Sequence, residues 1–231
     1  CYWASEYHID GFRFDLMGVL DIETLNEARK ALLKINPDII MYGEGWTGGE
    51  STLPESERGM KINAPRTPGI GMFSDDIRDA VKGHVFYMDE LGFVNGAADR
   101  GEELKQAVTC AKWAKSPMQS INYLSCHDNY TLWDRFIISN SHESEEMRIR
   151  MNKLAAAILF TAQGIPFFLH GEEFARTKIS EADGAPVENS YCSPLSVNAI
   201  DYDRAEQFSD LKAYYKAVSY THLTLPTNSL V

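Results

Sequence analysis

The sequence predicts an α/β fold built on a parallel sheet, and three observations predict it. Short apolar runs alternate with segments of helical period, giving five strand-then-helix units along the chain. The longest loops, Thr47 to Pro68 and Thr177 to Ile200, follow strand segments, where α/β proteins keep their ligand contacts. Acidic residues stand at the C-terminal ends of three separate strand segments. Both an open doubly wound sheet and a closed barrel satisfy this pattern.

Gly11 to Leu16 alternates, with Phe12, Phe14 and Leu16 facing one way and Arg13 and Asp15 the other, as a strand does. Asp21 is the expected N-cap of a helix whose Ile22, Leu25, Ala28 and Leu32 share a face. That helix ends by Asn36-Pro37, because proline disfavours helical backbone in the residue before it. Asp38 to Gly43 is the second strand, the more weakly patterned Gly69 to Ser74 the third, and Ile77 to Val81 fits a short helix. Leu104, Val108 and Ala111 mark a helix that stops before Pro117, and Ile121 to Ser125 reads as the fourth strand. Met147, Met151, Leu154, Ile158 and Ala162 predict a long amphipathic helix closed by Gly164. Ile165 to His170 is the fifth strand, and Phe208, Leu211, Tyr215 and Val218 give a last helix. From Ser219 to Val231 the chain turns rich in Thr and Leu and loses all Asp, Glu, Lys and Arg. Residues 1–218 are therefore assigned to one partial domain, and 219–231 are left as a tail that is either non-native or a frayed terminus.

With 22 Lys+Arg against 33 Asp+Glu the formal charge is −11, which argues against a nucleic-acid partner, since neutralising phosphates needs a basic face. A hydrophobic content of 44% supplies a sizeable core. No run approaches the roughly 18 apolar residues of a spanning helix, and no membrane partner is expected. Cys1, Cys110, Cys126 and Cys192 form no CxxC pair, so reduced thiols are expected and no metal site is assigned. The first residues show no initiator Met, basic region or apolar signal core, and the natural start is expected upstream.

The acids at the strand ends are Asp15, Glu44 and Asp128. In a barrel all strand C-termini open on one mouth, so residues distant in sequence can converge there. Arg13 lies two residues before Asp15 and shares its side of the strand. A guanidinium beside a carboxylate favours an ionised nucleophile, although the same spacing also describes a structural ion pair. Glu44, if it shared a pocket with the other two acids, would suit the role of general acid. It is flanked by Gly43 and Gly45 and followed by Trp46, whose flat face suits a sugar ring; an ordinary loop carboxylate and a core tryptophan are the alternatives. His127, Asp128 and Asn129 offer donors and acceptors to a polyol, with Tyr130 and Trp133 following, or else a helix-capping acid beside a structural histidine.

These segments, Asp10-Gly-Phe-Arg-Phe-Asp15-Leu-Met-Gly18, Tyr42-Gly-Glu44-Gly-Trp46 and Ser125-Cys-His-Asp128-Asn-Tyr-Thr-Leu-Trp-Asp134, resemble in order three signature regions of the α-amylase family of glycoside hydrolases. The Asp-Leu-Met-Gly and Tyr-Gly-Glu-Gly-Trp endings are similar to its debranching, type I pullulanase subgroup, as are Gly164 to Lys178 and Asn189 to Asp201. The resemblance runs from about Tyr2 to Val218. It implies the C-terminal half of a (β/α)8 TIM barrel, approximately strands 4 to 8 with their helices. It further implies a retaining hydrolase of α-1,6-glucosidic branch linkages in pullulan and branched α-glucans. In that scheme Asp15 is nucleophile, Glu44 acid/base and Asp128 transition-state stabiliser, with Arg13 and His127 binding the sugar. Trp46, Asn129 and Trp133 are further candidates for substrate contact or for packing.

The family's first signature region, which precedes the segment of Asp15, is not in the sequence, so an N-terminal half-barrel and accessory domains are expected as missing partners of this piece. Five strands cannot close an eight-stranded barrel, and the piece alone is expected to be inactive. No cofactor is required; calcium is possible in a full-length parent, although no carboxylate-dense loop is visible here. An isoamylase or glycogen-debranching hydrolase, or a non-catalytic α-glucan-binding remnant, are the competing readings.

Overall fold

The computed structural model describes residues 1–223. Five strands, β1 (Gly11–Phe14), β2 (Ile40–Gly43), β3 (Gly71–Ser74), β4 (Ser120–Tyr123) and β5 (Ile165–Phe167), lie in one sheet in the order β1-β2-β3-β4-β5. The pairings from β1 through β4 are parallel. Spatial order equals chain order, with no point at which the direction of winding reverses. A doubly wound sheet needs such a reversal and a (β/α)8 barrel does not, so the two sequence alternatives resolve to a run of barrel strands. All five expected strands are present. β1, β4 and β5 end before the apolar pattern does, at Phe14, Tyr123 and Phe167, whereas β2 and β3 end where expected and begin later, at Ile40 and Gly71.

The chain divides into two compact units. The first holds residues 1–74, 110–122 and 163–165, and with them most of the sheet. Between β1 and β2 runs α2 (Ile22–Leu32), and α1 (Tyr2–Glu6) precedes β1. Asp21 caps α2 as expected, its side chain accepting from Thr24 N at 2.7 Å. Leu25 and Leu32 of α2 pack with Met17, Ile39, Met41, Ile70 and Met72 in a core to which each fully buried aliphatic side chain contributes about 2 kcal/mol. β3 is buried along its whole length, as a strand covered on both faces must be.

The second unit holds residues 75–109, 123–162 and 166–231. Its helices are α3 (Asp75–Lys82), α4 (Gly101–Val108), α5 (Leu132–Ser139), α6 (Glu145–Thr161), the short α7 (Leu195–Asn198) and α8 (Asp203–Gln207), and α9 (Ser209–Leu223). Two cores lie along α6. Met151, Ala155 and Leu159 face Ile77, Val81, Leu132 and Phe136, whereas Ala156 and Phe160 face Phe174, Leu211 and Tyr215. Of the expected stripe, Met147, Met151, Ile158 and Ala162 pack in the first of these cores, whereas Leu154 is exposed at the solvent edge of the same face. Helix α5 has no counterpart among the expected elements. Its start is nevertheless written in the sequence, since Thr131 caps it by accepting from Asp134 N. Residues 219–223 continue α9, and the remainder of the proposed tail, 224–231, lies outside the described residues. Among the described residues no helix is long and apolar enough to cross a membrane.

Candidate active site

In the first unit, the register that sets Phe14 beside Gly43 brings the next residue of each strand, Asp15 and Glu44, out of the sheet at one level. Arg13 Nη1 donates to Asp15 Oδ1 at 2.5 Å, and its Nη2 donates to Glu44 Oε1 at 2.8 Å. One planar guanidinium thus grips both acids. The backbone N–H of Leu16 donates to the other oxygen of Glu44, Oε2, at 2.8 Å. Glu44 is fixed at both oxygens and its side chain is only 8% exposed, whereas that of Asp15 is 71% exposed. The sequence spacing foresaw the Arg13–Asp15 pair; the bond to Glu44 joins residues 31 apart and has no local signal.

The backbone is bent to make this possible. Leu16 sits in the left-handed region at φ 40° and ψ 51°, a conformation that costs a branched side chain about 1 kcal/mol and aims its N–H at Glu44. Gly18 donates to Trp46 O at 3.1 Å, and a Cβ there would lie 2.6 Å from that carbonyl. A Cβ on Gly43 would lie 2.5 Å from Phe14 O. These close approaches lock the loops after β1 and β2 together. Trp46 is only partly buried, and Lys61 Nζ lies 5.7 Å from its ring centroid.

In the second unit, His127, Asp128 and Asn129 lie in the loop between β4 and α5 rather than at the strand's last residue. His127 Nε2 and Asp128 Oδ2 are 3.4 Å apart, with side chains 61% and 40% exposed. Asp128 does not cap α5; Thr131 does. Asn129 is left-handed, and its N–H donates to Asn189 Oδ1 at 3.1 Å. Trp133 is buried, edge-on to Phe208 at 5.2 Å, and serves the core; of the two uses open to it, packing is the one its position matches.

Three buried or loop groups absent from the sequence reading support this segment. Ser125 Oγ donates to Glu172 Oε2, Lys178 Nζ donates to His127 O at 2.9 Å, and Asn189 takes the N–H of Asn129. Burial pushes Glu172 up to about 7 and Lys82 down to about 8; it also lowers Lys178 and raises the Cys126 thiol. Glu172 and Lys178 stand in a stretch already conspicuous for its resemblance. Charged residues next to an apolar run such as Ile165 to Leu169 were the available sign of a buried network. Among the described residues, no group of three or more His, Cys, Asp or Glu is arranged to hold a metal ion.

No family model matches the chain. It is 41% identical over 216 residues to a pullulanase of Bacillus subtilis (strain 168), covering 90% of this chain and 29% of that protein. It is 31% identical over 248 residues to a pullulanase of Klebsiella aerogenes, covering 87% and 22% respectively. Among solved structures, the pullulanase of Paenibacillus barengoltzii in complex with maltohexaose and α-cyclodextrin superimposes with a TM-score of 0.89 at 45% identity, covering 97% of this chain and 35% of that one. The pullulanase of Anoxybacillus sp. LM18-11 complexed with maltotriose gives 0.90 at 43% identity, covering 96% and 31%. The chain spans roughly a third or less of the length of these relatives, and it aligns as part of a (β/α)8 barrel.

Proposed function

We propose that this chain, a homologue of pullulanases over nine-tenths of its length, supplies the nucleophile and the acid/base of a retaining glycoside hydrolase that cleaves α-1,6-glucosidic branch linkages. The observation that carries the reading is the Arg13 bridge, which holds two carboxyl groups as neighbours at the ends of adjacent strands. Retaining chemistry needs its two acids roughly 5 to 5.5 Å apart, close enough for one to attack the anomeric carbon while the other protonates the leaving oxygen. Sharing one guanidinium supports such a pairing of Asp15 and Glu44.

Exposed Asp15 attacks the anomeric carbon of the glucosyl unit, the bond from that carbon to the branch oxygen breaks, and the proton of Glu44 passes to the departing hydroxyl. Glu44, now a carboxylate, takes a proton from water as the water oxygen displaces Asp15 from the same carbon. Arg13 stays charged throughout and holds the two acids side by side. Leu16 N–H fixes the carboxyl plane of Glu44 for both transfers. Trp46, beside the acid/base, is the sugar platform in this reading. By motif, Asp128 takes the role of transition-state stabiliser and His127 that of a sugar-binding residue.

The test is release of reducing ends from pullulan by the longest reading frame that carries this chain, alongside its Asp15→Ala variant. The reading expects hydrolysis in the parent and a loss of at least about 10³-fold in the variant. Unchanged turnover in Asp15→Ala ends the assignment. Faster cleavage of intact glycogen than of pullulan would move the substrate to the glycogen-debranching type.

A further inference from the structure

The segment Ser125 to Asn129 is held from behind at every second residue. Ser125 Oγ donates to Glu172 Oε2, the carbonyl of His127 accepts from Lys178 Nζ at 2.9 Å, and the N–H of Asn129 donates to Asn189 Oδ1 at 3.1 Å. These partners lie 47, 51 and 60 residues away. Glu172 and Lys178 are 3% and 2% exposed, although both residue types are almost never fully buried without a partner. These ties hold the backbone of a bent loop, in which Asn129 is left-handed at φ 59°, while the side chains of His127 and Asp128 stay 61% and 40% exposed.

Each tie is itself braced. Glu172 Oε1 lies 3.2 Å from Tyr215 Oη of α9, and that hydroxyl donates to Asn152 Oδ1 of α6 at 2.6 Å. Lys82 of α3 adds an attractive charge and Glu173 a repulsive one. The backbone N–H of Lys178 donates to Asp134 Oδ2 at 2.9 Å, and Thr177 Oγ1 donates to Asp134 Oδ1. Two separate rear networks, one centred on Glu172 and one on Lys178, therefore converge on one five-residue segment. A polar group is expensive to bury, and nothing in the apolar cores of this unit requires a carboxyl and an ammonium at these positions.

We propose that Glu172 and Lys178 are positioning residues whose function is to hold the backbone of residues 125–129 so that His127 and Asp128 present their side chains to a sugar. The kinetic part of this assignment rests on the glycoside hydrolase reading; the mechanical part does not. Cys126, half-buried between Ser125 and His127, reports the mechanical part, because loosening of the segment raises the access of an alkylating reagent to its thiol.

The experiment is peptide-resolved alkylation by iodoacetamide of the full chain and of Ser125→Ala, Glu172→Gln and Lys178→Met, with exposed Cys192 as internal control. Loss of one buried tie is expected to accelerate labelling of Cys126 about tenfold in Ser125→Ala and in Lys178→Met, with Cys192 unchanged. Glu172→Gln keeps an acceptor for Ser125 and is expected to fall between these variants and the parent. Cys126 rates equal to the parent in both Ser125→Ala and Lys178→Met overturn the proposal. Equal acceleration at Cys192 also overturns it, because the ties would then serve general stability. Where pullulan hydrolysis is measurable, Ser125→Ala is expected to lower kcat about tenfold with KM little changed. A raised KM at constant kcat contradicts the positioning role, and a parent that does not hydrolyse pullulan overturns the enzyme reading while leaving the labelling result to decide this one.

Discussion

The two regions that carry the candidate residues are prepared in opposite ways. In the first unit the charged side chains hold one another: Arg13 spans Asp15 and Glu44, and the backbone bends at Leu16 to add a further donor. In the second unit the side chains of His127 and Asp128 are left open, and the backbone beneath them is gripped by Glu172, Lys178 and Asn189. Under the proposed roles, each region draws its precision from a different source. A nucleophile and an acid/base that exchange protons and bonds with one carbon need their mutual geometry set, which a shared guanidinium does. Groups that hydrogen-bond a sugar need reach toward it, which a rigid backbone with free side chains provides.

Breaking the fork should have the largest effect. Arg13→Leu leaves Asp15 and Glu44 without their shared donor and is expected to reduce pullulan hydrolysis by roughly 10²- to 10⁴-fold, far more than loss of a rear tie in the second unit. Activity within tenfold of the parent would show that the two acids need no shared anchor, and the contrast between the regions would disappear.

The rear anchor carries a pH signature. Desolvation favours the neutral acid of Glu172, so the folded chain keeps this proton up to about pH 7, whereas an unfolded glutamate, at 4.5, has already released it. Its contribution to stability is therefore full below pH 4.5 and is lost as the pH rises toward 7, by about 3 kcal/mol. Ser125, Tyr215 and the cation of Lys82 limit the loss, and Glu173 adds to it. Glu172→Gln removes the titration. In urea melts its stability relative to the parent should climb between pH 4.5 and 7 and level off above; a difference that stays constant with pH would contradict the buried acid.

A smaller effect belongs to the seam that joins the loops after β1 and β2. Gly18→Ala places a Cβ 2.6 Å from the Trp46 carbonyl and is expected to cost about 2 kcal/mol of stability. Glucan hydrolysis should fall with it, because the displaced backbone leads directly back to Glu44. Full activity in a destabilised Gly18→Ala protein would separate the seam from the site.

Much of the fold was legible because the signals are local. Alternation around Phe12 and Phe14, the Asp21 cap and the stop at Gly164 each act within a few residues, and each is where the sequence places it. Helix α5 is only eight residues long, and its one local signal is the capping Thr131. Leu154 shares the helical period of Met151 and Ile158 but lies at the solvent edge of their face, which period alone does not reveal. In the site, Arg13 and Asp15 could be paired from the strand period alone. Glu172, Lys178 and Asn189 could not be assigned, since their partners depend on which distant segments the fold brings behind residues 125–129.

The proposed role of Arg13, holding Asp15 and Glu44 as a nucleophile and its acid/base partner, fixes the stereochemistry of the product. Proton NMR of freshly cleaved pullulan, recorded before the reducing end equilibrates, should show the α-anomer appearing first, as retention at an α-linkage requires. First appearance of the β-anomer would mean that water attacks directly across a wider gap between the carboxyl groups, and the bridged pair would not be the catalytic pair.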